Sequence, residues 1–143
     1  MKILATTDGS DFSQKVLAKL GTLLPRDADI LLLSVFSSPL TLTYGADPMG
    51  VSYERMVEQF REAAESDCEQ GRDILAKQGF SARTLTLMGE PAETIIDLAQ
   101  KEAVDLIVVG SHGKSGIQRF LLGSVSDRVV RHADRSTLVV KLP

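Results

Sequence analysis

The chain has 143 residues, of which 43% are hydrophobic and 24% charged, a composition typical of one soluble globular domain of ordinary size. Its net charge of −3 and its isoelectric point near 5.4 argue against a nucleic-acid-binding protein, which usually carries an excess of basic residues. The one cysteine cannot form an internal disulfide, and no apolar run has signal-peptide length or approaches the about 20 residues that cross a membrane. We therefore expect a cytoplasmic protein that binds neither nucleic acid nor a membrane.

Five short apolar runs predict β-strands, with helical patterns between them. The second, fourth and fifth runs are nearly continuous in apolar residues, which is typical of strands covered on both faces. The predicted strands are Lys2–Thr7, Ile30–Phe36, Arg83–Leu87, Leu106–Val109 and Thr137–Lys141.

Apolar residues at helical spacing predict helices in the intervals between the first three strands. The first stripe runs from Phe12 to Leu24 and includes Leu23, and Pro25 ends it. A second, longer stripe runs from Tyr53 to Leu75 and predicts a helix that covers the sheet. Cys68 lies on this stripe, so we interpret it as a small core residue and not as a nucleophile.

Two further helices complete the predicted pattern. Pro91 suits the first turn of a third helix, and Val125, Val129 and Val130 mark the buried face of a fourth. Strands that alternate with helices of this length form right-handed crossovers and a parallel sheet. The sequence therefore predicts an α/β protein in which residues 1–143 form a single domain, a doubly wound parallel sheet with helices on both faces.

One long irregular stretch, SSPLTLTYGADPMGVS at residues 37–52, follows the second predicted strand. A loop of about 15 residues in a compact domain is often a functional lid. Two interpretations stay open: a lid over a binding site, or an insertion without function.

Candidate ligand-binding residues follow the first two strands, because open parallel sheets bind ligands beyond the carboxyl ends of their strands. Ser10 and Asp11 are candidate N-caps of the first helix. Capping does not account for Asp8, which we expect at the strand end. There it can accept hydrogen bonds from a ribose hydroxyl or an adenine amine, or help to hold a metal. Val35 and Phe36 stand at the end of the second strand and are either core residues or an apolar platform for a nucleobase.

The segment after the fourth strand contains Gly-Lys-Ser at residues 113–115, which suggests a Walker phosphate loop. That motif requires a glycine five positions before Gly113, and Val108 stands there. The dinucleotide-binding fingerprint fails too, because it requires a glycine where the chain has Ser111. Neither motif is present.

A different glycine spacing remains: Gly110, two residues, Gly113, nine residues, then Gly123 and Ser124. Gly110 has no Cβ, so a ligand can approach the backbone at the strand end. Gly113 and Gly116 allow a positive φ that turns backbone N–H groups inward. The alternative is that these glycines only shape a long loop between a strand and a helix.

The last helix is expected to begin at Gly123 and Ser124, where Ser124 and Asp127 resemble a capping box. The N–H groups of Val125 and Ser126 and the positive end of the helix dipole then form a site for anions such as phosphate. Asp127 disfavours phosphate binding, because its carboxylate in the first turn would compete with a phosphate for the positive end of the helix dipole.

Charged and titratable residues near this helix suggest binding and do not suggest catalysis. Lys114 and Arg119 can neutralise a phosphate but are expected to be solvated, and Arg128 and Arg131 are expected at the surface. His112 has no partner at the spacing of a zinc site, and no Ser-His-Asp arrangement is recognisable. We therefore expect no catalytic residue and at most slow hydrolysis of a bound nucleotide.

Together these residues resemble the universal stress protein family along the whole chain. The resemblance covers Asp8-Gly9-Ser10, Ser34-Val35, MGEP at residues 88–91 and the long segment at residues 105–141. The ATP-binding branch of that family is identified by Gly-x2-Gly-x9-Gly-Ser/Thr, which the glycine spacing described above satisfies.

The resemblance implies a Rossmann-like, adenine nucleotide alpha hydrolase-like sheet with strand order 3-2-1-4-5. It also implies a homodimer that pairs through the C-terminal strand, and a regulatory role in the stress response with an unidentified client protein. The implied ligand is ATP with Mg²⁺. The nucleoside would lie near Asp8 and Val35, the ribose and phosphates along Gly110 and Gly113, and the phosphates at Gly123, Ser124, Val125 and Ser126.

Two alternatives remain. One is a dimeric interaction module of the same fold that binds no nucleotide. The other is a phospho-accepting receiver domain, for which Asp8 and Lys141 are suitably placed. The acceptor aspartate that a receiver domain needs after the third strand is absent, because Met88 and Gly89 stand there.

Overall fold

The computed structural model describes residues 1–40, 52–113 and 121–143. Its five strands form one all-parallel sheet in the order β3-β2-β1-β4-β5. This confirms the expected fold class and strand order, and each predicted strand end lies within one residue of the observed one. The strands are β1 Lys2–Thr6, β2 Asp29–Phe36, β3 Ala82–Met88, β4 Leu106–Gly110 and β5 Ser136–Val140.

The helices between these strands also follow the predicted pattern. Ser10 is the N-cap of the first helix and accepts a hydrogen bond from the Ser13 N–H at 3.1 Å, and Pro91 is the first residue of the third. In the part of the chain that the structure describes, no helix is long and apolar enough to cross a membrane. The helices are α1 Asp11–Lys19, a 3₁₀ turn Leu20–Thr22, α2 Tyr53–Ala76, α3 Pro91–Lys101 and α4 Ser124–His132.

Three residues that the apolar stripes placed in the core are instead exposed: Leu23 at 43%, Tyr53 at 38% and Val130 at 46%. The 3₁₀ turn after α1 has about three residues per turn. Leu23 therefore no longer lies on the same face as the buried apolar residues of α1. Val130 lies about 100° around α4 from Val129, which is fully buried, so the two cannot face the sheet together.

Alternating residues of β2 show that both faces of the sheet are covered. Ile30 and Leu32 belong to the core under α1 and α2, whereas Leu31 and Leu33 belong to the core under α3 and α4. The winding therefore reverses between β1 and β4, and a crevice opens there at the carboxyl ends of the strands.

Cys68 is a core residue, as its place on the α2 stripe indicated. It is 2% exposed, and its Sγ lies 3.9 Å from the carbonyl oxygen of Leu32 and 3.6 Å from that of Leu85. Burial raises the pKa of the Cys68 thiol above its ordinary value. The thiol therefore stays protonated at neutral pH and is a poor nucleophile.

Candidate functional site

A cavity of 720 Å³ opens at the carboxyl edge of the sheet, where the winding reverses. Small-molecule sites in proteins usually measure about 300–1,000 Å³. The cavity brings together every residue that the sequence predicted to contact a nucleotide; whether they contact one stays a prediction. These residues are Asp8, Val35, Gly110, Gly113, Gly123, Ser124, Val125 and Ser126.

The turn after β1 fixes the carboxylate of Asp8 at the cavity wall. Asp8 Oδ1 accepts hydrogen bonds from the Ser10 backbone N–H at 3.0 Å and from the Ser10 hydroxyl at 2.5 Å. Gly9 between them has a φ of 75°, a conformation that favours glycine. A Cβ atom at Gly113 would lie 3.0 Å from Asp8 Oδ2, so the absence of a side chain there leaves room for this carboxylate.

Two glycines of the motif act differently from our expectation. A Cβ atom at Gly110 would lie 3.0 Å from the ring of Phe12 and 3.3 Å from Cγ2 of Val16. The missing side chain therefore makes room for α1; Gly110 also lines the cavity, and whether a ligand approaches its backbone stays a prediction. The positive φ expected at Gly113 is also wrong, because its φ lies outside that region.

Several predictions lie outside the described residues. Gly116, Lys114 and Arg119 fall within residues 114–120, so the expected roles of these three residues stay predictions. The question of a lid also stays open, since residues 41–51 are not described. Ser37, at the start of that stretch, lines the cavity.

The first turn of α4 forms one end of the cavity, and within residues 1–40, 52–113 and 121–143 no side chain caps it. The expected capping box is wrong, because Gly123 is the N-cap and Ser124 is already the first helical residue. Ser111 anchors this turn: its carbonyl oxygen accepts the Gly123 N–H at 2.7 Å and the Ser126 hydroxyl at 3.2 Å. The N–H groups of Ser124, Val125 and Ser126 donate to no residue that the structure describes.

Asp127 does not oppose an anion in the way its position suggested. Both of its carboxylate oxygens lie 3.0 Å from Nε of Arg131, one turn further along α4, and Asp127 does not line the cavity. Arg128 lies 3.2 Å from Glu90 and 3.5 Å from Glu93, and so links α4 to the start of α3. The side chains of both arginines are exposed, as predicted.

The cavity extends beneath α2, where sequence reasoning named no site residue. Phe60, Ala64 and Asp67 lie at helical spacing on the face of α2 that borders the cavity. An acidic residue at the edge of an otherwise apolar stripe is the signal that points to Asp67. Phe36, predicted beside Val35 as a core residue or an apolar platform, also lines this region. The other unpredicted lining residues here are Thr7, Ser13, Val16, Ser34 and Ala63.

The described part of the chain forms no catalytic triad or metal centre. Ser111 is 3% exposed and does not line the cavity, so its hydroxyl cannot reach a ligand. The Ser111 hydroxyl instead lies 2.9 Å from Nδ1 of His112, whose ring packs edge-to-face on Phe12. Among the described residues, no three His, Cys, Asp or Glu side chains are grouped to hold a metal ion.

Comparisons with known proteins identify the family. The model of the universal stress protein family matches residues 1–141. Universal stress protein MJ0531 of Methanocaldococcus jannaschii is 34% identical over 142 residues, which cover 99% of this chain and 82% of that protein. The solved structure of MJ0577, a universal stress protein of the same organism, has a TM-score of 0.83 at 28% identity, covering 99% of this chain and 96% of that one.

A second solved structure is that of the universal stress protein from Archaeoglobus fulgidus in complex with dAMP. It has a TM-score of 0.64 at 25% identity and covers 99% of this chain and 98% of that one. The family match over nearly the whole sequence, the relatives and the sheet order agree: this chain belongs to the universal stress protein family.

Proposed function

We propose that this protein is a nucleotide-binding module of the stress response that binds ATP in the cavity described above. The observation that carries the proposal is the first turn of α4, which no side chain of the described residues caps and which presents three backbone N–H groups at the wall of a cavity of 720 Å³. The complex of the Archaeoglobus fulgidus relative with dAMP supports an adenine nucleotide as the ligand.

The phosphates would bind at the first turn of α4. The N–H groups of Ser124, Val125 and Ser126 donate to no described residue and can serve as donors, and the positive end of the helix dipole favours an anion there. Gly123 leads the chain into this turn without a side chain beside the donors. The ion pair between Asp127 and Arg131 keeps the nearest carboxylate of α4 out of the cavity.

The nucleoside would extend from these phosphates toward the ends of β1 and β2. Asp8, held by Ser10, can accept a hydrogen bond from a ribose hydroxyl, and Val35 offers an apolar contact. Mg²⁺ keeps several waters and binds through one or two carboxylates together with substrate phosphates. Because the described residues offer no group of three ligands, Mg²⁺ would be held mainly by the phosphates, with Asp8 as the candidate carboxylate.

We expect at most slow hydrolysis of the bound ATP. A general base must lie within hydrogen-bonding reach of the attacking water. Near the first turn of α4, the described residues offer hydroxyl and backbone groups and the ring of His112. That ring is held by the buried Ser111 hydroxyl, 2.9 Å from Nδ1, and packs edge-to-face on Phe12. The site therefore favours binding over catalysis.

Calorimetric titration of the purified protein with ATP and Mg²⁺ tests this function. We expect saturable binding of ATP, whereas adenosine should bind much more weakly because it has no phosphates for α4. Absorbance near 260 nm in the purified protein would reveal a nucleotide that is retained. No detectable heat at millimolar ATP would contradict the proposal and favour an interaction module that binds no nucleotide.

We also propose that the protein forms a homodimer through β5. This strand lies at the edge of the sheet and, among the described residues, pairs only with β4. An edge strand presents backbone N–H and C=O groups that can pair with another chain. Sedimentation equilibrium should give twice the chain mass of 15.5 kDa, and a monomer at high micromolar concentration would contradict this assignment.

A further inference from the structure

Arg128 joins the starts of two helices that border the cavity. Its Nη1 lies 3.2 Å from Oε1 of Glu90, and its Nη2 lies 3.5 Å from Oε1 of Glu93. Glu90 is the N-cap of α3 and directly precedes Pro91, which lines the cavity. The guanidinium group of Arg128 therefore lies at the rim of the cavity, between the starts of α3 and α4.

The place of Arg128 in α4 directs its side chain toward the first turn of that helix. Side chains of a helix tilt toward its N-terminus, so a residue covers the turn that precedes it. Arg128 follows Ser124 by four residues and Val125 by three, and both of these residues line the cavity. The contact with the start of α3 agrees with this direction, because α3 and α4 both begin at the carboxyl edge of the parallel sheet. The guanidinium group thus lies beside the N–H groups that we assign to phosphate.

Arg128 can accept a further anion without leaving its two carboxylates. A guanidinium group has more N–H donors than two carboxylate contacts engage, and its planar shape suits phosphate oxygens. The Arg128 side chain is 48% exposed, so a phosphate group at the rim can reach it.

The charges around the cavity explain why the number of phosphates matters. Within the described residues no lysine or arginine lines the cavity, whereas the carboxylates of Asp8 and Asp67 do. A single phosphate group can be satisfied by the three N–H groups of the first turn of α4. A triphosphate brings more oxygens and more negative charge than these N–H groups can satisfy, so its outermost phosphate needs a cation at the rim.

We propose that Arg128 makes the site selective for a triphosphate over a monophosphate by binding the phosphate of ATP that is farthest from the ribose. This inference rests on the proposed binding of ATP. Glu93 opposes the ligand, because its carboxylate repels a phosphate at the same cation. The Glu93 side chain is 70% exposed, and within the described chain its one ion pair is with Arg128. It is therefore the partner that the phosphate displaces.

The test measures the affinities of ATP and AMP by calorimetry for the wild-type protein and for Arg128→Gln. Losing a charge-assisted contact at an exposed position should weaken ATP binding about tenfold and change AMP binding about twofold or less. Arg83→Gln is the matched control, because it removes the same charge and an exposed ion pair, with Asp29 at 3.9 Å, near the opposite end of the sheet. It should leave both affinities close to those of the wild type.

Glu93→Gln gives a result of opposite sign, which a merely structural ion pair would not produce. Without the competing carboxylate, ATP should bind about two- to fivefold more tightly, and AMP should gain less. Because exposed ion pairs contribute little to stability, all three variants should melt close to the wild-type temperature.

The outcomes separate this inference from the proposed function. If Arg128→Gln binds ATP as tightly as the wild type, or loses affinity for ATP and AMP equally, Arg128 does not bind the outermost phosphate. If Glu93→Gln weakens ATP binding as Arg128→Gln does, the ion pairs only hold the two helices together and the inference is wrong. ATP binding itself would still stand in these cases. If the wild-type protein binds neither nucleotide, the proposed function is wrong and this inference is wrong with it.

Discussion

Replacing Gly123 with valine should weaken ATP binding at least about a hundredfold. The backbone of Gly123, with φ −62° and ψ 159°, is open to any residue, so strain is not the reason. A Cβ atom there would lie 3.3 Å from the carbonyl oxygen of Ser111 and 3.4 Å from Cα of His112. The two methyl groups of valine would therefore push the first turn of α4 away from its anchor. Losing two charge-assisted hydrogen bonds to phosphate costs about 3–6 kcal/mol, which is a hundredfold or more.

The control for this variant is Ser81→Val, which places the same side chain at an exposed position near the opposite end of the sheet. Both variants should keep the circular dichroism spectrum of the wild type, and only Gly123→Val should lose ATP in calorimetry. Undiminished affinity in Gly123→Val would refute the assigned phosphate site while leaving the family and the fold untouched.

Leu32→Ala should lower the free energy of unfolding by about 3–4 kcal/mol, within the range of about 2–5 kcal/mol typical of large-to-small changes in a core. Leu32 is fully buried in the central part of β2, between neighbouring strands and beneath α2. The surrounding strands cannot move inward to fill the space that its side chain leaves. Urea denaturation followed by circular dichroism measures the change, and a loss below 1 kcal/mol would contradict this packing.

A double-mutant cycle with Gly71 tests the contact between β2 and α2 directly. A Cβ atom at Gly71 would lie 2.7 Å from Cδ2 of Leu32 and 2.9 Å from Cδ1 of Leu17. Gly71→Ala should therefore destabilise the wild type, although alanine is favoured over glycine in a helix by about 1 kcal/mol. In the Leu32→Ala background the cost should shrink, because one of the two close atoms is gone. Additive effects would show that Leu32 and Gly71 do not contact each other.

Much of the fold could be predicted, because its strands and helices are marked by local patterns. The continuous apolar run of β2 is buried on both faces, and the α2 stripe follows a single helical period over six turns. Leu23 could not be placed in this way. Its exposure depends on a 3₁₀ turn at Leu20–Thr22, which changes the number of residues per turn without a clear mark in the sequence.

The part of the candidate site whose residues are close together in the sequence could be predicted. The glycine spacing and the entry into α4 correctly grouped residues that line one cavity. The cap of α4 was mispredicted because a shift of one residue in the helix start moves Ser124 from the cap into the helix. Asp67 was missed for another reason: it lines the cavity only because α2 packs over β2, a contact between distant parts of the chain.

The most direct test of the account is the change in backbone amide signals when ATP is added to ¹⁵N-labelled protein. The N–H groups of Ser124, Val125 and Ser126 should shift downfield as they donate to the phosphates. Adenosine should perturb the signals of Ser34 and Val35 and leave those of α4 nearly unchanged. If ATP shifts the amides of β2 and α2 but leaves the first turn of α4 unmoved, the phosphates do not bind there and the central claim is wrong.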